Sequence, residues 1–335
     1  MSEKIITLYQ KYKKEYEKTG KNRHIVVRYA RELKRLGINV DKGKSINSNL
    51  KRRPLKNILM IVDFNLNFTA GNTIWCSNTI HLFLNEGYNV ELLTTNIQSL
   101  NNNFKRNVEK DIKIHQEVSV HNFLKNKSNE YDTIIVRHDS FISTLKNNES
   151  WIPKVILYII NEKVIPDGFK GKIWTQSNKL KEKILKRNLK NEQIEIKPPI
   201  GYKYNFKVPE RKDNQIRLIY CGTLREEENI LEIIEEFKKI HQEKPEVILK
   251  IIYGKIHGDQ NFTNKINQII KTGEKGITFK YNLSHRDSCY EIATSDIGIC
   301  WRKNGWGDNG EISTKVKEYE MYGIEVKREN LKYFL

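Results

Sequence analysis

Gly305-Trp-Gly-Asp-Asn-Gly-Glu-Ile-Ser-Thr-Lys-Val-Lys-Glu-Tyr-Glu-Met-Tyr-Gly323 follows a short apolar run, Asp296-Ile-Gly-Ile-Cys-Trp301. The pattern reads as a buried strand, a loop rich in Gly, Asp and Asn, and a helix opened by Ser313 and Thr314. In an open α/β sheet, ligands bind outside the carboxyl ends of the strands, where such loops sit. A helix start there presents unpaired N–H groups and a positive dipole end, both suited to a phosphate. Lys315 adds a full charge, while Glu311 before the helix and Glu318 within it are acceptors for hydroxyl groups. Cation, amides and two carboxylates around one loop suit a ligand with phosphate and polyol parts, such as a nucleotide sugar. The competing reading is a solvated, capped helix with a charged face.

Working outward, the chain has 335 residues, enough for two ordinary domains, and 38% of them are apolar. No apolar run is long enough to span a bilayer. The start, Met1-Ser-Glu-Lys, lacks the apolar core of a signal peptide. The four cysteines, Cys76, Cys221, Cys289 and Cys300, are scattered, which reads as reduced thiols rather than a zinc site. A cytoplasmic location is expected. The net charge is +18, and residues 1–57 hold 17 Lys and Arg against 5 Asp and Glu. Such localised charge suits an anionic partner, and an A/T-rich coding sequence enriches Lys and Asn for unrelated reasons.

Residues 4–18 put Ile5, Leu8, Tyr9, Tyr12 and Tyr16 on one helical face, and residues 24–36 repeat this with Val26, Tyr29, Ala30 and Leu33. These read as two basic amphipathic helices, followed by a polar linker over 41–54. They suit an anionic membrane surface, peripherally bound, or packing on the following domain. The interleaved Tyr and Lys suit nucleic acid by charge alone, with no recognised motif. From Asn57 strands and helices alternate. Ile58–Val62, a loop with Gly71, a helix over Asn72–Glu86 and the strand Val90–Thr94 form one βαβ unit. It has no Gly-x-Gly-x-x-Gly, which argues against ordinary dinucleotide binding. The strand Thr133–Arg137 runs into His138-Asp139-Ser140. Further alternation reaches Lys197-Pro-Pro-Ile-Gly201, where the prolines break regular structure and set a domain boundary. The second domain opens with Ile216–Cys221, then a loop Gly222-Thr-Leu-Arg225 and a helix from about Glu226 to Gln242. Residues 1–56, 57–200 and 201–335 are thus read as an appendage and two domains.

The motif at Ser313–Gly323, with Glu318-Tyr-Glu-Met-Tyr-Gly323 at its end, resembles the donor site of GT-B glycosyltransferases, specifically the retaining group 1 (family 4) set. That resemblance covers about residues 57–323. It implies two Rossmann-like domains facing a cleft, with the basic helices appended. It implies a glycosyltransferase moving a hexosyl group from a nucleotide-sugar donor to a glycan or lipid-linked acceptor, with retention and without a metal or other cofactor. Polysaccharide biosynthesis is the common setting. On the donor side it implies Gly71, Gly222, Thr223, Arg225, Ser313, Thr314 and Lys315, with Glu318 holding the ribose and Glu311 the sugar hydroxyls. His138 and Asp139 would meet donor and acceptor from the first domain, where an imidazole can donate to a hydroxyl or share developing charge.

Three departures stand out. The position assigned to the first Glu is Gly310, and the carboxylate comes one place later. The Lys expected near Arg225 is missing, and Glu226-Glu-Glu228 stands there instead. After Gly323 only Ile324–Leu335 follow, so the second domain is expected to be cut short or completed by the N-terminal helices. These departures leave open a second reading: a degenerate, non-catalytic GT-B protein that binds a partner or anionic polymer through its basic helices.

Overall fold

The computed structural model describes residues 2–19, 26, 56–97, 100, 112–208, 210–211, 213–303, 313–328 and 331. The chain forms two compact units, Met1–Lys56 with Phe83–Asn89, and Asn57–Leu82 with Val90–Leu335. In the first, helix α1 spans Ser2–Thr19, and Lys13 lies 5.7 Å over the ring of Tyr9. The expected second helix over 24–36 lies outside the described residues save the helical Val26, and so does the linker over 41–54. Gly87, at φ 86°, closes the turn in which the Tyr88 amide donates to the Phe83 carbonyl at 3.0 Å. A glycine tolerates that left-handed backbone without a Cβ clash.

The second unit contains two sheets. The first is built on β1 (Asn57–Val62), whose unbroken apolar run suits a strand covered on both faces. Helix α2 (Gly71–Asn85) and β2 (Asn89–Thr94) follow, then β3 (Lys113–Gln116), α3 (Val120–Lys127) and β4 (Thr133–Arg137). Next come the short α4 (Asp139–Ile142), β5 (Val155–Ile159), β6 (Lys172–Thr175), α5 (Asn178–Leu185) and β7 (Ile194–Ile196). The strand order is β3-β2-β1-β4-β5-β6-β7, and β1/β4, β4/β5, β5/β6 and β6/β7 pair in parallel. Leu59, Ile61, Val136, Phe141, Trp151 and Leu157 belong to one continuous core.

The second sheet begins with β8 (Ile216–Arg225), followed by α6 (Ile230–Glu243), β9 (Val247–His257), α7 (Gln260–Thr272) and β10 (Ile277–Tyr281). It ends with α8 (His285–Ala293), β11 (Ile297–Ile299), α9 (Thr314–Tyr322) and β12 (Glu325–Lys327), in the order β10-β9-β8-β11-β12. Its two faces are covered separately, one by Phe237, Ile233 and Ile266, the other by Ile292, Val316 and Tyr319. Strand β12 forms although its outer residues are charged. It is an edge strand, so Glu325 and Lys327 pair with each other at 2.7 Å.

Gly222–Arg225 is strand rather than the expected loop. The pairing of β8 with β9 continues to Arg225 opposite His257, with a register shift between Gly222 and Leu224. Such a bulge bends the strand and re-aims side chains. The loop after β1 then crosses to the second sheet. The Thr69 amide donates to Asn282 Oδ1 at 3.1 Å, and Asn282 Nδ2 donates to the Asn67 carbonyl at 3.1 Å. Gly254 permits this approach: a Cβ there would lie 2.4 Å from the Thr69 carbonyl oxygen.

Candidate functional site

These contacts bring the carboxyl ends of both sheets around a cavity of about 310 Å³. From the first sheet its wall takes Gly71 and Asn72 at the start of α2, Arg137 at the end of β4, and Gln176 beyond β6. From the second it takes Gly222, Thr223, Arg225 and Glu228, with Arg302 after β11. Ser313, Thr314 and Lys315 complete it at the start of α9. Of the residues that the sequence nominates, Gly71, Gly222, Thr223, Arg225, Ser313, Thr314 and Lys315 therefore come together. Glu311 lies outside the described residues.

Ser313 caps α9 in an extended backbone conformation (φ −70°, ψ 122°) and makes no side-chain cap bond. Ser313, Thr314 and Lys315 line the cavity, so α9 begins at its wall, where a helix start carries unpaired amides and the positive dipole end. Lys315 is nearly buried and lies 4.4 Å over the ring of Tyr220. Its ammonium is ion-paired with Glu228, which also accepts from the Tyr220 hydroxyl at 3.0 Å. Burial opposes the charge on Lys315, but the Glu228 carboxylate outweighs it and leaves the ammonium pKa raised. Gly222 leaves the space in which that chain runs, since a Cβ there would meet Lys315 Nζ at 3.0 Å.

The acidic triplet thereby divides. Glu226 pairs outward with Lys303 at 2.9 Å, while Glu228 turns inward. The sequence places all three carboxylates beside a diphosphate as a liability. The fold uses one of them to hold the lysine.

His138 and Asp139 stand elsewhere. The His138 ring is buried and is not part of the cavity wall; it caps α4, with Nδ1 accepting from the Phe141 amide at 3.1 Å and Nε2 3.0 Å from Thr95 Oγ1. Burial lowers its pKa, with the carboxylate of Asp63 opposing at 3.4 Å. A ring whose Nδ1 accepts an amide proton is the neutral tautomer, with its proton on Nε2. Asp139 is exposed as a residue while its carboxyl group is partly shielded, and that shielding, followed by the nearby Asp63 carboxylate, raises its pKa.

Glu318 is also out of the cavity wall. It is 1% exposed, and its Oε1 lies 2.5 Å from His285 Nε2. Cys289 Sγ is 3.4 Å from the same nitrogen. Among the described residues His285, Cys289 and Glu318 are a group whose ligand atoms could hold a metal ion, all lying within 4.8 Å of one another. Sequence reasoning did not nominate Asn72, Gln176 or Arg302 for the cavity, took Glu228 as a departure, and left Arg137 as the end of a strand. Arg137 directly precedes His138, and its place at the end of a central strand is the signal that marks it.

No family model matches the sequence, and no curated protein does. Solved structures do. HepE from Anabaena, in complex with UDP and glucose, superposes with a TM-score of 0.58 at 12% identity, over 81% of this chain and 80% of that one. WaaG, a glycosyltransferase involved in lipopolysaccharide biosynthesis, gives 0.54 at 13% identity, over 80% of each chain. A glycosyltransferase from Rickettsia africae gives 0.52 at 14%, over 82% of this chain and 79% of that one. Together with the two parallel sheets, this likeness defines the class of fold: the chain has the GT-B fold.

Proposed function

We propose that the protein is a glycosyltransferase that moves a hexosyl group from a nucleotide-sugar donor to a glycan or lipid-linked acceptor, with retention. One observation carries this reading. A single cavity joins the amino terminus of α9, Arg225 and Lys315 on one sheet to Gly71, Asn72 and Arg137 on the other. The first group suits a diphosphate. The second lies where a sugar and an acceptor would meet it. HepE, solved with UDP-glucose, makes UDP the first nucleotide to test.

In this reading Arg225, Lys315 and the amides of Ser313 and Thr314 stabilise charge as it develops on the leaving diphosphate. Gly222 and Thr223 let the backbone of β8 approach it. Fixed cations then serve in place of a divalent metal. Glu318 reaches a ribose only by leaving His285, a rearrangement that donor binding would have to drive. His138 and Asp139 complete the acceptor side from behind Arg137, and Glu311 contacts the sugar. Closing the cavity over both substrates aligns them and excludes water.

The test is turnover. The full chain is incubated with radiolabelled UDP-glucose and other nucleotide sugars, with EDTA, in the presence of cell-envelope glycan and lipid fractions. The reading expects labelled acceptor and released nucleoside diphosphate, both lost in Arg225→Ala. Folded protein that transfers label from no donor overturns it.

A further inference from the structure

The first-sheet wall of the cavity is built around one charge. Arg137 is 8% exposed, and its guanidinium sits 4.6 Å from the ring centre of Trp75, 5.5 Å from Tyr158 and 5.8 Å from Phe64. Trp75 and Tyr158 pack against each other at 4.4 Å. The guanidinium has five N–H donors. Among the described residues its hydrogen-bond acceptor is a neutral one, Asn72 Oδ1 at 2.6 Å, and the carboxylates of Asp139 and Asp63 act on it only through space. Burial lowers its pKa, yet an arginine keeps its proton in proteins. A buried charge with no ionised hydrogen-bond partner among the described residues is costly, and aromatic faces repay part of that cost.

The cations that suit a diphosphate are already present across the cavity, in Arg225, Arg302 and Lys315. Arg137 comes from the opposite sheet, beside Gly71 and Asn72, where the sugar and acceptor would lie. A planar fork held by aromatic rings and aimed at that space matches a carboxylate or phosphate in two-pronged fashion. A neutral sugar would leave the charge uncompensated.

We infer that Arg137 reads an anionic group on the sugar side of this cavity, so that the substrate pair includes an acidic or phosphorylated sugar. This rests on the glycosyltransferase reading given above. The carboxylate or phosphate belongs either to the transferred sugar or to the acceptor, and two arms of one experiment separate these sources.

In the donor arm, the full chain is titrated calorimetrically with UDP, UDP-glucose and UDP-glucuronate, and with the corresponding GDP-mannose and GDP-mannuronate set. In the acceptor arm, protein saturated with its nucleoside diphosphate is titrated with glucose, glucuronate and glucose 6-phosphate. A charge-assisted bidentate contact predicts that the anionic member binds on the order of tenfold tighter than its neutral counterpart in one arm. Arg137→Gln erases that preference and Arg137→Lys restores part of it. If Arg137→Gln fails to fold, the wild-type comparison of charged with neutral ligands still decides. Equal affinity for charged and neutral members in both arms, with the nucleoside diphosphate still bound, overturns the inference and leaves the glycosyltransferase reading standing. Failure of every nucleoside diphosphate to bind overturns both.

Discussion

Glu228→Gln tests the inward turn of the acidic triplet, and its magnitude can be worked from the structure. The Lys315 and Glu228 side chains are 10% and 12% exposed, so the pair is largely shielded from water. Breaking a buried pair from one side costs about 3–5 kcal/mol, because the remaining charge is uncompensated. Here Tyr220 stays under the ammonium at 4.4 Å and offsets about 1–2 kcal/mol of that. The net loss is then about 1–4 kcal/mol, which lowers Tm by roughly 1–6 °C for a chain of 335 residues. Because Lys315 has a raised pKa, its share of stability is complete at neutral pH and lost only as pH rises through that raised value. The neutral-pH loss therefore reports the pair alone. The assay is urea unfolding of the wild type, Glu228→Gln, Lys315→Met and the double variant. The double variant should be more stable than the two single losses sum to, by about 1–2 kcal/mol. If the cavity takes a diphosphate, UDP should also stabilise Glu228→Gln more than wild type, since one carboxylate no longer competes for the Lys315 ammonium. Strict additivity, with an unchanged response to UDP, would refute the inward pairing.

Three further outcomes follow from other parts of the molecule. Gly254→Ala places a Cβ 2.4 Å from the Thr69 carbonyl oxygen, and should cost about 1–3 kcal/mol in urea unfolding because backbone must move. Glu291 is bound by Lys280 at 2.6 Å and Lys250 at 2.9 Å; burial pushes its pKa up, and these hydrogen bonds outweigh that and hold it low. The stability it supplies is present above the unfolded carboxylate pKa and lost as pH falls through the lowered folded value, so Glu291→Gln should flatten the acid limb of a stability–pH profile and leave its neutral-to-alkaline shape unchanged. Arg225→Ala should weaken nucleoside diphosphate binding about tenfold with little change in Tm, because the residue is exposed and anchors no core; an equal fall in Tm would show a structural role.

Much of the fold was legible because buried parallel strands are apolar and unbroken. Ile58–Val62, Thr133–Arg137 and Val247–Tyr253 announce themselves in this way. The edge strand Lys113–Gln116 does not: it is half-buried and polar, and His115 is satisfied by Glu91 at 2.6 Å rather than by a core. Gly222–Arg225 reads as loop because glycine weakens a strand signal, yet β9 supplies a partner as far as His257. That Ser313–Lys315 and Arg225 share a cavity was readable, because helix starts and cations carry local signatures. The orientation of Glu228 was not, since only the fold decides which member of a charged triplet faces inward. Arg137 was overshadowed by His138 for a related reason. Adjacent residues on a strand point to opposite sides, and no local rule tells which side holds the cavity.

The central claim is that this cavity receives a nucleoside diphosphate. The most direct measurement is calorimetric titration of the full chain with UDP, GDP, CDP and ADP in EDTA. One of them should bind with a Kd on the order of 1 µM to 1 mM. Arg225→Ala should weaken that binding about tenfold. Folded protein that binds none of the four would contradict the account.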